Sequence, residues 1–290
     1  MLSLHTNNAA LSAQNSISRT QDSLSTSMTR LSTGFRINSA MDDAAGLQIA
    51  TRLRAQTSGM AVAMRNTQNS TSMLQTAEGA LDEVTNMLIR MKDLATQAAD
   101  ASSTDADKVA MQSEYDHLGK ELANVLKNTS FAGAKLLVAG TLGGTTGLNF
   151  QIGASASEQM NINLSASMST LGSVHNALTL ATSGYYTTTV GAELTGAGAA
   201  STAITNLTNA ISEINSVRST LGAAANRLSH VYNNLANIST NSKAATGRIM
   251  DTDFATESSK MTANQMLLQA GTAMLKQTNS MSSMVMSLLQ

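Results

Sequence analysis

The 290-residue sequence contains no cysteine, no proline and no tryptophan, and only 3% of its residues are aromatic. Without cysteine no disulfide forms, so packing alone holds the fold together, whether the protein is cytosolic or exported. Without proline nothing in the sequence interrupts a long helix. A formal net charge of −1 at pH 7 gives no electrostatic reason to expect nucleic acid or an acidic membrane as a partner.

The sequence also lacks a long hydrophobic run. The longest, Met60 to Met64, has five residues, far short of the roughly 20 that cross a bilayer. The first eighteen residues contain no Lys or Arg and no continuous apolar core, both of which a cleaved secretory signal has. We therefore expect no membrane span and a retained amino terminus.

Signatures of catalysis and metal binding are missing as well. None of the four histidines stands in a His-Glu-x-x-His motif, whose spacing turns two imidazoles toward one zinc ion. The sequence has no Gly-x-x-x-x-Gly-Lys-Ser/Thr phosphate loop and no Gly-x-Ser-x-Gly nucleophile turn. We therefore predict no enzyme activity, no metal and no cofactor, and interpret most of the eighteen methionines as core residues.

What the sequence does contain is three apolar heptad patterns, which predict coiled-coil helices. The polar stretch "DASSTDAD" separates the first from the second and predicts an antiparallel return. In the third, Arg218 interrupts the register. The patterns are Leu74, Ala77, Leu81, Val84, Leu88, Met91, Ala95 and Ala98; Met111, Tyr115, Leu118, Leu122 and Val125; and Ile204, Leu207, Ile211, Ile214, Leu221, Ala225, Leu228, Tyr232 and Leu235.

The middle of the chain differs from these helices, since residues 133–198 hold eleven of the nineteen glycines. There "LNFQIGA" and "QMNINLS" alternate apolar and polar residues and predict a β-hairpin packed on the helices, and 171–200 resembles a small β or loop insertion. Both chain ends carry few charges but regular apolar stripes, which predict helices with a surface that needs covering. The fold class is therefore mainly α, with a small β region.

The stretch "GFRINSAMDDAAG", Gly34 to Gly46, sets adjacent carboxylates near an arginine. Asp42 and Asp43 do not form a catalytic pair, because consecutive side chains on a helix diverge. An Asp at a helix N-cap accepts hydrogen bonds from free backbone N–H groups, and the apolar pattern of the next helix begins just after this pair. We interpret the stretch as a joint between two helices.

Two long segments, "LSTGFRINSAMDDAAGLQIATRL" and "ANRLSHVYNNLANISTNSKAATGRIMDTDFATE", resemble the terminal regions of the bacterial flagellin family. The resemblance covers roughly residues 1–170 and 200–290, and "MLSLHTN" with "MRNTQNSTSMLQTAEGALDEV" is more similar to lateral-type than to polar members. It implies a structural subunit of the flagellar filament, with paired terminal helices lining the central channel and the heptad helices forming the outer wall. A hook-filament junction protein, which shares terminal helices and export, is the alternative.

The resemblance also implies an organisation and a set of structural residues. The implied segments are 1–43, an N-terminal inner-core helix and connector; 44–170, outer-core helices and β-hairpin; 171–200, a variable surface insertion; 201–246, a returning outer-core helix; and 247–290, a connector and C-terminal inner-core helix. The implied connector and inter-subunit residues are Arg36, Asn38, Asp42, Asp43, Arg248, Asp251 and Asp253. The implied inner-core packing residues are Leu4, Leu11, Ile17, Leu24, Leu31, Leu267, Met274, Met281 and Leu288.

The partners follow from the same resemblance. It implies a helical homopolymer outside the cell, unfolded export through the flagellar type III apparatus without cleavage, a cytosolic chaperone at the carboxy-terminal end, and contacts with the flagellar cap and hook-associated junction proteins. In some members an animal Toll-like receptor binds the first heptad helix. Arg90 and Leu94 in "LIRMKDLATQ", with Glu114 on the next helix, match that site; ordinary subunit contact is the other interpretation.

Overall fold

A computed structural model describes residues 7–137, 140–143, 147–163, 191–196 and 198–288. Within these residues the chain forms five α-helices and two short hairpins, which confirms the predicted mainly α class. The elements are α1 (Asn8–Thr33), α2 (Ala44–Ala99), α3 (Asp105–Asn128), β1 (Ser130–Phe131), β2 (Ala134–Lys135), β3 (Leu148–Gln151), β4 (Gln159–Ile162), α4 (Ala199–Met250) and α5 (Phe254–Leu288). None of the described helices is both long and apolar enough to cross a membrane.

The chain divides into two compact units. One is built from residues 1–57 and 240–290, and the other from residues 58–239. Each has its own hydrophobic core: Ile37, Ala50 and Met250 in the first, and a large cluster from α2, α3, α4 and the β3–β4 hairpin in the second. Long helices α2 and α4 contribute residues to both units.

The first heptad pattern forms the centre of the large core, as predicted. All eight of its residues, from Leu74 to Ala98, are at most 4% exposed. In the second pattern Met111, Tyr115 and Leu122 are buried, whereas Leu118 and Val125 are only partly buried. The core position at the end of α3 belongs instead to Leu126, which is fully buried.

The third pattern needs corrections at Arg218, Ala225 and Tyr232. Arg218 does not interrupt the register, because Val217 occupies that core position between Ile214 and Leu221 and is completely buried. Arg218 lies beside the core and its guanidinium pairs with Asp82 of α2 at 2.9 Å. The predicted break at Arg218 is therefore wrong. Further along α4 the buried residue is Ala224 and not Ala225, and Tyr232 is 38% exposed, so Ala225 and Tyr232 were wrongly assigned to the core.

One ion pair shows the relative direction of α2 and α3. Arg90 of α2 and Glu114 of α3 meet at 2.7 Å, and each lies nine residues from the end of its helix at the connecting link. The two helices are therefore antiparallel, as the polar link predicted. Thr104 starts α3 with a capping box, in which its hydroxyl and the Asp107 carboxylate bond each other's backbone N–H groups.

The β-hairpin also forms where alternation predicted it. Strands β3 and β4 pair antiparallel, with Leu148 opposite Ile162 and Phe150 opposite Met160. Phe150, Met160 and Ile162 are buried in the large core, so one face of the hairpin packs on the helices.

The predicted surface insertion, 171–200, is only partly covered, since residues 164–190 lie outside the described residues. Its described end does not face outward as expected: Leu194 is 1% exposed and belongs to the large core. Helix α4 begins at Ala199, within the predicted insertion. The Leu194 N–H donates to the buried Gln112 side chain of α3, which holds this end of the segment at the core.

In the other unit, α1 and α5 pair antiparallel. Ser27 of α1 contacts Glu257 near the start of α5, and Asn7 before α1 reaches Thr278 near the far end of α5. Between them Gly271 lies against Ile17 so closely that a Cβ at 271 would stand 2.9 Å from the Ile17 side chain. The predicted pairing of the terminal helices is thus present, and glycine is what permits the close approach.

Candidate functional site

The sites that carry the family resemblance are the joints between helices, and the first of these is a pair of connector strands. Phe35 and Asp251 form an antiparallel bridge. The Arg36 N–H donates to the Met250 carbonyl at 2.6 Å and the Thr252 N–H donates to the Gly34 carbonyl at 3.0 Å. Together these hydrogen bonds hold the two connectors side by side.

Side chains reinforce this pairing. The Arg36 guanidinium donates to the Ile249 carbonyl at 2.9 Å, and Ile37 packs into the small core with Ala50 and Met250. Asp251 contributes to the joint through its backbone, which forms the bridge to Phe35. Arg248, by contrast, is exposed, and its guanidinium forms no hydrogen bond or ion pair with the described residues.

The adjacent carboxylates of the first connector have separate structural roles. Asp42 accepts hydrogen bonds from the backbone N–H groups of Asn38 and Ser39, at 3.0 and 2.9 Å. These bonds, Ser39 first, hold the pKa of the Asp42 carboxyl below its usual value. Asp43 accepts from the Gly46 N–H at 2.8 Å and caps α2. The predicted N-cap is therefore Asp43, while Asp42 closes the preceding turn.

The second connector ends in a similar cap. The Asp253 carboxylate accepts from the Ala255 N–H at 3.0 Å and from the Thr256 hydroxyl at 2.7 Å. The Thr256 hydroxyl is the main reason that the pKa of Asp253 lies below its usual value. Both connectors thus end in an aspartate that starts the next helix, which is a structural and not a catalytic arrangement.

A buried carboxylate between α1 and α5 is the feature that sequence reasoning missed. Glu257 is 5% exposed and accepts a hydrogen bond from the Ser27 hydroxyl at 2.7 Å. Arg30 lies 3.9 Å from both Glu257 and Asp42, so it links the helix pair to the connector turn. The sequence feature that could have indicated a buried acidic partner was Arg30, because it is one of only three fully charged residues among the first thirty.

The predicted inner-core residues do not all pack inside this helix pair. Ile17, Leu24 and Leu31 are partly buried, but Leu11, Leu267, Met274 and Met281 are 50–64% exposed. Leu4 and the side chain of Leu288 lie outside the described residues. On α5 the side turned to α1 carries Gly271 instead, so the period-seven stripe lies on a neighbouring side of the helix. The packing of this stripe against neighbouring copies stays a prediction.

These residues form an exposed apolar face on the terminal helices. On α1 it includes a groove of about 450 Å³ between Leu24 and Met28. Several large apolar side chains left exposed along one helix pair favour interaction with another molecule. The members that are at least 39% exposed are Leu11 and Met28 on α1, Phe35 in the connector that follows it, and Phe254, Met266, Leu267, Met274 and Met281 on α5.

The predicted receptor-binding residues are only partly on the surface. Arg90 and Glu114 form an exposed ion pair, but Leu94 is 4% exposed and belongs to the large core. The two charged residues are therefore available to a partner, and Leu94 supports their helix from inside. No group of three or more metal-ligating side chains occurs in the part of the chain that the structure describes.

A second buried polar cluster docks the segment before α4 onto α3. The amide nitrogen of Gln112, a completely buried residue, donates to Asp116 at 2.8 Å and to Glu193 at 2.6 Å. Its amide oxygen accepts from the Leu194 N–H at 2.8 Å, and Asp116 accepts from the Gly191 N–H at 3.1 Å. One glutamine thereby pins residues 191–194 to α3.

This docking is predicted to depend on pH. Burial, with Asp116 nearby, raises the pKa of Glu193 above the ordinary value of 4.5, and Tyr115 lies next to it without offering a positive charge. An acid with a raised pKa favours the docked state when neutral, so docking is strongest below about pH 4.5 and weakens as pH rises through the raised pKa. The protection factor of the Leu194 amide against hydrogen exchange, measured at intervals of about one pH unit from about pH 4 to about pH 8, checks this prediction.

Two variants sharpen that measurement. Glu193→Gln removes the ionising group and is expected to make the Leu194 protection independent of pH. Glu121→Gln makes the same change at an exposed position of α3 and is expected to leave the wild-type profile intact. A flat wild-type profile, or an unchanged slope in Glu193→Gln, would reject the assignment.

Residues 4–141 match the bacterial flagellin N-terminal helical region, and residues 204–289 match the bacterial flagellin C-terminal helical region. The B-type flagellin of Pseudomonas aeruginosa is 47% identical over 173 residues, which are 59% of this chain and 35% of that protein. Flagellin A of Vibrio anguillarum is 34% identical over an alignment that covers 100% of both chains.

The chain thus spans about a third of the first of these relatives and the whole of the second. Among solved structures, a putative flagellar hook-associated protein from Vibrio parahaemolyticus is similar with a TM-score of 0.58 and 15% identity. The similarity covers 72% of this chain and 100% of that one. At this identity it describes a shared fold and nothing more.

Proposed function

This chain belongs to the bacterial flagellin family, and from that premise we propose that it is a structural subunit that polymerises into the helical filament of the bacterial flagellum. One observation carries the proposal: the terminal helices expose an apolar face that a single copy leaves uncovered. Burying a side chain such as Leu or Met contributes about 1.5–3 kcal/mol. A second copy of the same chain supplies matching apolar helices, so self-association is the arrangement this surface favours.

The terminal helices have little to stabilise them before assembly. Ordering 30 residues costs roughly 45 kcal/mol, which needs on the order of 1,800 Å² of apolar burial as compensation. Residues 261–290 contain a single full charge, Lys276, so they form few stabilising i, i+4 ion pairs. We propose that α1 and α5 become stably helical only when neighbouring copies cover their apolar faces, so that folding and assembly are coupled.

The connectors take the role of joints in this proposal. Asp43 and Asp253 start helices at fixed points, and the Phe35–Asp251 bridge holds both connectors together. Arg248, which has no partner among the described residues, is positioned to pair with an acidic residue of a neighbouring copy. Arg36 and Asn38 are bound to the backbone within their own chain and therefore shape the joint.

A glycine contrast tests the joint. Gly34 ends α1 with a φ of +74°, where a Cβ costs roughly 1–2 kcal/mol, so Gly34→Ala is expected to lower the temperature at which filaments dissociate. Gly79 lies inside α2 with open space around it, and Gly79→Ala is expected to stabilise by about 0.5–1 kcal/mol. Calorimetry of both variants as filaments measures the two shifts. If both substitutions shifted the dissociation temperature in the same direction, the assignment of a positive φ to Gly34 would be wrong.

The wider biology is proposed on the same premise. The subunit is exported unfolded through the flagellar type III apparatus, with a cytosolic chaperone at its carboxy-terminal end, and functions outside the cell between the flagellar cap and hook-associated junction proteins. Low charge and weak isolated helices at both ends suit passage through a narrow channel. The exposed Arg90–Glu114 pair is offered as a contact for the host Toll-like receptor, with subunit contact as its alternative.

The junction-protein alternative predicts a different product. A junction protein occupies a short zone, whereas a flagellin forms long homopolymers. Electron microscopy of the purified protein after seeding with sheared filaments distinguishes them: we expect filaments many subunits long from this chain alone. Short caps on the seeds, or no growth, would reject the filament proposal.

A further inference from the structure

The described methionines range from buried to largely exposed. The exposed group, called here the helix methionines, consists of Met28 on α1 and Met266, Met274 and Met281 on α5, which are 56–64% exposed. Three methionines of the large core in the other unit, Met87, Met91 and Met111, are at most 8% exposed. A reagent that attacks thioether sulfur therefore reaches the terminal helices first and leaves the large core intact.

The chemistry available at these positions is oxygen transfer from a hydroperoxide. The thioether sulfur attacks one peroxide oxygen, so the O–O bond breaks and an S–O bond forms. With hydrogen peroxide, the other oxygen leaves as water. Sulfur loses two electrons, peroxide gains them, and no other reactant is needed. The product is a sulfoxide, which is polar and chiral and disrupts methionine-rich interfaces. Because the chain has no cysteine, methionine is its principal site for this reaction.

We propose that the helix methionines make assembly sensitive to hydroperoxides: their oxidation in the free subunit converts the apolar face of α1 and α5 into a polar one and prevents addition to a filament. The proposal rests on the proposed function, because polymerisation is the step that the sulfoxides block. Methionine sulfoxide reductases return the thioethers, so the block is reversible.

Oxidation of the helix methionines is expected to affect assembly more than oxidation of another exposed methionine, because of where they lie. Met274 and Met281 lie seven residues apart on one side of α5, in line with Leu267. Met41 is 96% exposed, more than any of them, but it lies in the connector turn beside Asp42 and not on a helix face. Met41 is therefore oxidised early without blocking assembly.

The experiment treats purified subunits with hydrogen peroxide, maps sulfoxides by tandem mass spectrometry and measures elongation from sheared filament seeds. We expect oxidation at the helix methionines and Met41 before Met87, Met91 and Met111, and a rise of about tenfold or more in the concentration needed for elongation. Untreated protein that fails to elongate refutes the proposed function. Untreated protein that elongates and is equally active after oxidation refutes only the present proposal.

Two variants locate the effect. A quadruple variant with Met28→Leu, Met266→Leu, Met274→Leu and Met281→Leu is expected to elongate equally well before and after peroxide. Met41→Leu, the control, is expected to remain as sensitive as wild type. Peroxide sensitivity that persists in the quadruple variant overturns the proposal.

A rescue measurement covers the case in which the quadruple variant does not assemble at all. Oxidised wild-type subunits are treated with methionine sulfoxide reductases until mass spectrometry shows the helix methionines reduced. Recovered elongation supports the proposal, and continued failure with the sulfoxides removed overturns it.

Discussion

Leu88→Asp is expected to unfold the unit formed by residues 58–239. Leu88 is 1% exposed at the centre of the large core, and the substitution both removes its packing and buries an unpaired carboxylate. Changes of this kind belong to the most destabilising class, at about 4 kcal/mol or more. Circular dichroism of the monomer is expected to show lost helix or a strongly lowered melting temperature.

The matched control is Ile89→Asp, the same substitution one residue further along α2. Ile89 is 47% exposed, so its carboxylate stays in water and the expected change in unfolding free energy is within about 0.5 kcal/mol. Equal damage from the two variants would show that the buried side of α2 is misplaced.

Met274→Asp is expected to abolish filament growth while the monomer keeps its structure. Met274 is 64% exposed in the single chain, so the new carboxylate is hydrated until a neighbouring copy covers it. Assembly then requires desolvation of an unpaired charge on an apolar face. We expect the concentration needed for elongation to rise about 100-fold or beyond measurement.

Its control is Met274→Leu, which keeps the position apolar and is expected to elongate as wild type does. Monomer circular dichroism is compared in all three proteins. Normal growth of Met274→Asp filaments would mean that this side of α5 stays in solvent after assembly, and would remove the observation on which the proposed function rests.

Much of the fold follows from local pattern. The heptad pattern from Leu74 to Ala98 identified buried positions correctly, because one side of a single long helix faces the same core along its whole length. The alternation in "LNFQIGA" located the hairpin, and the residues around Asp43 located a helix start. The comparisons confirm the flagellin family that the long terminal motifs indicated, and flagellins are structural proteins, so the prediction of no enzyme activity holds as well.

What local pattern missed was decided by partners distant in the sequence. Counting in steps of three and four from Ile214 does not choose between Val217 and Arg218, and packing against α2 does. Leu267 and Leu268 are both apolar, and only the position of α1 determines which of them turns toward it. Glu257 is buried through Ser27, 230 residues away, and no periodicity carries that information.

The same limit explains the end of the predicted insertion. Its glycines and low charge suggested a surface segment, yet Leu194 enters the core because Gln112, 82 residues earlier, accepts its backbone hydrogen bond. Contacts of this type depend on which side chains the tertiary fold brings together. Composition therefore did not show where the end of this segment attaches.

The central claim, that neighbouring copies stabilise α1 and α5, is tested most directly by hydrogen exchange on monomer and filament, followed by mass spectrometry. Amides of Asn8–Thr33 and Phe254–Leu288 are expected to exchange within seconds in the monomer and to be strongly protected in the filament. Amides of the 58–239 core serve as the internal reference and are expected to be protected in both states. Strong protection of α1 and α5 already present in the monomer would contradict the account.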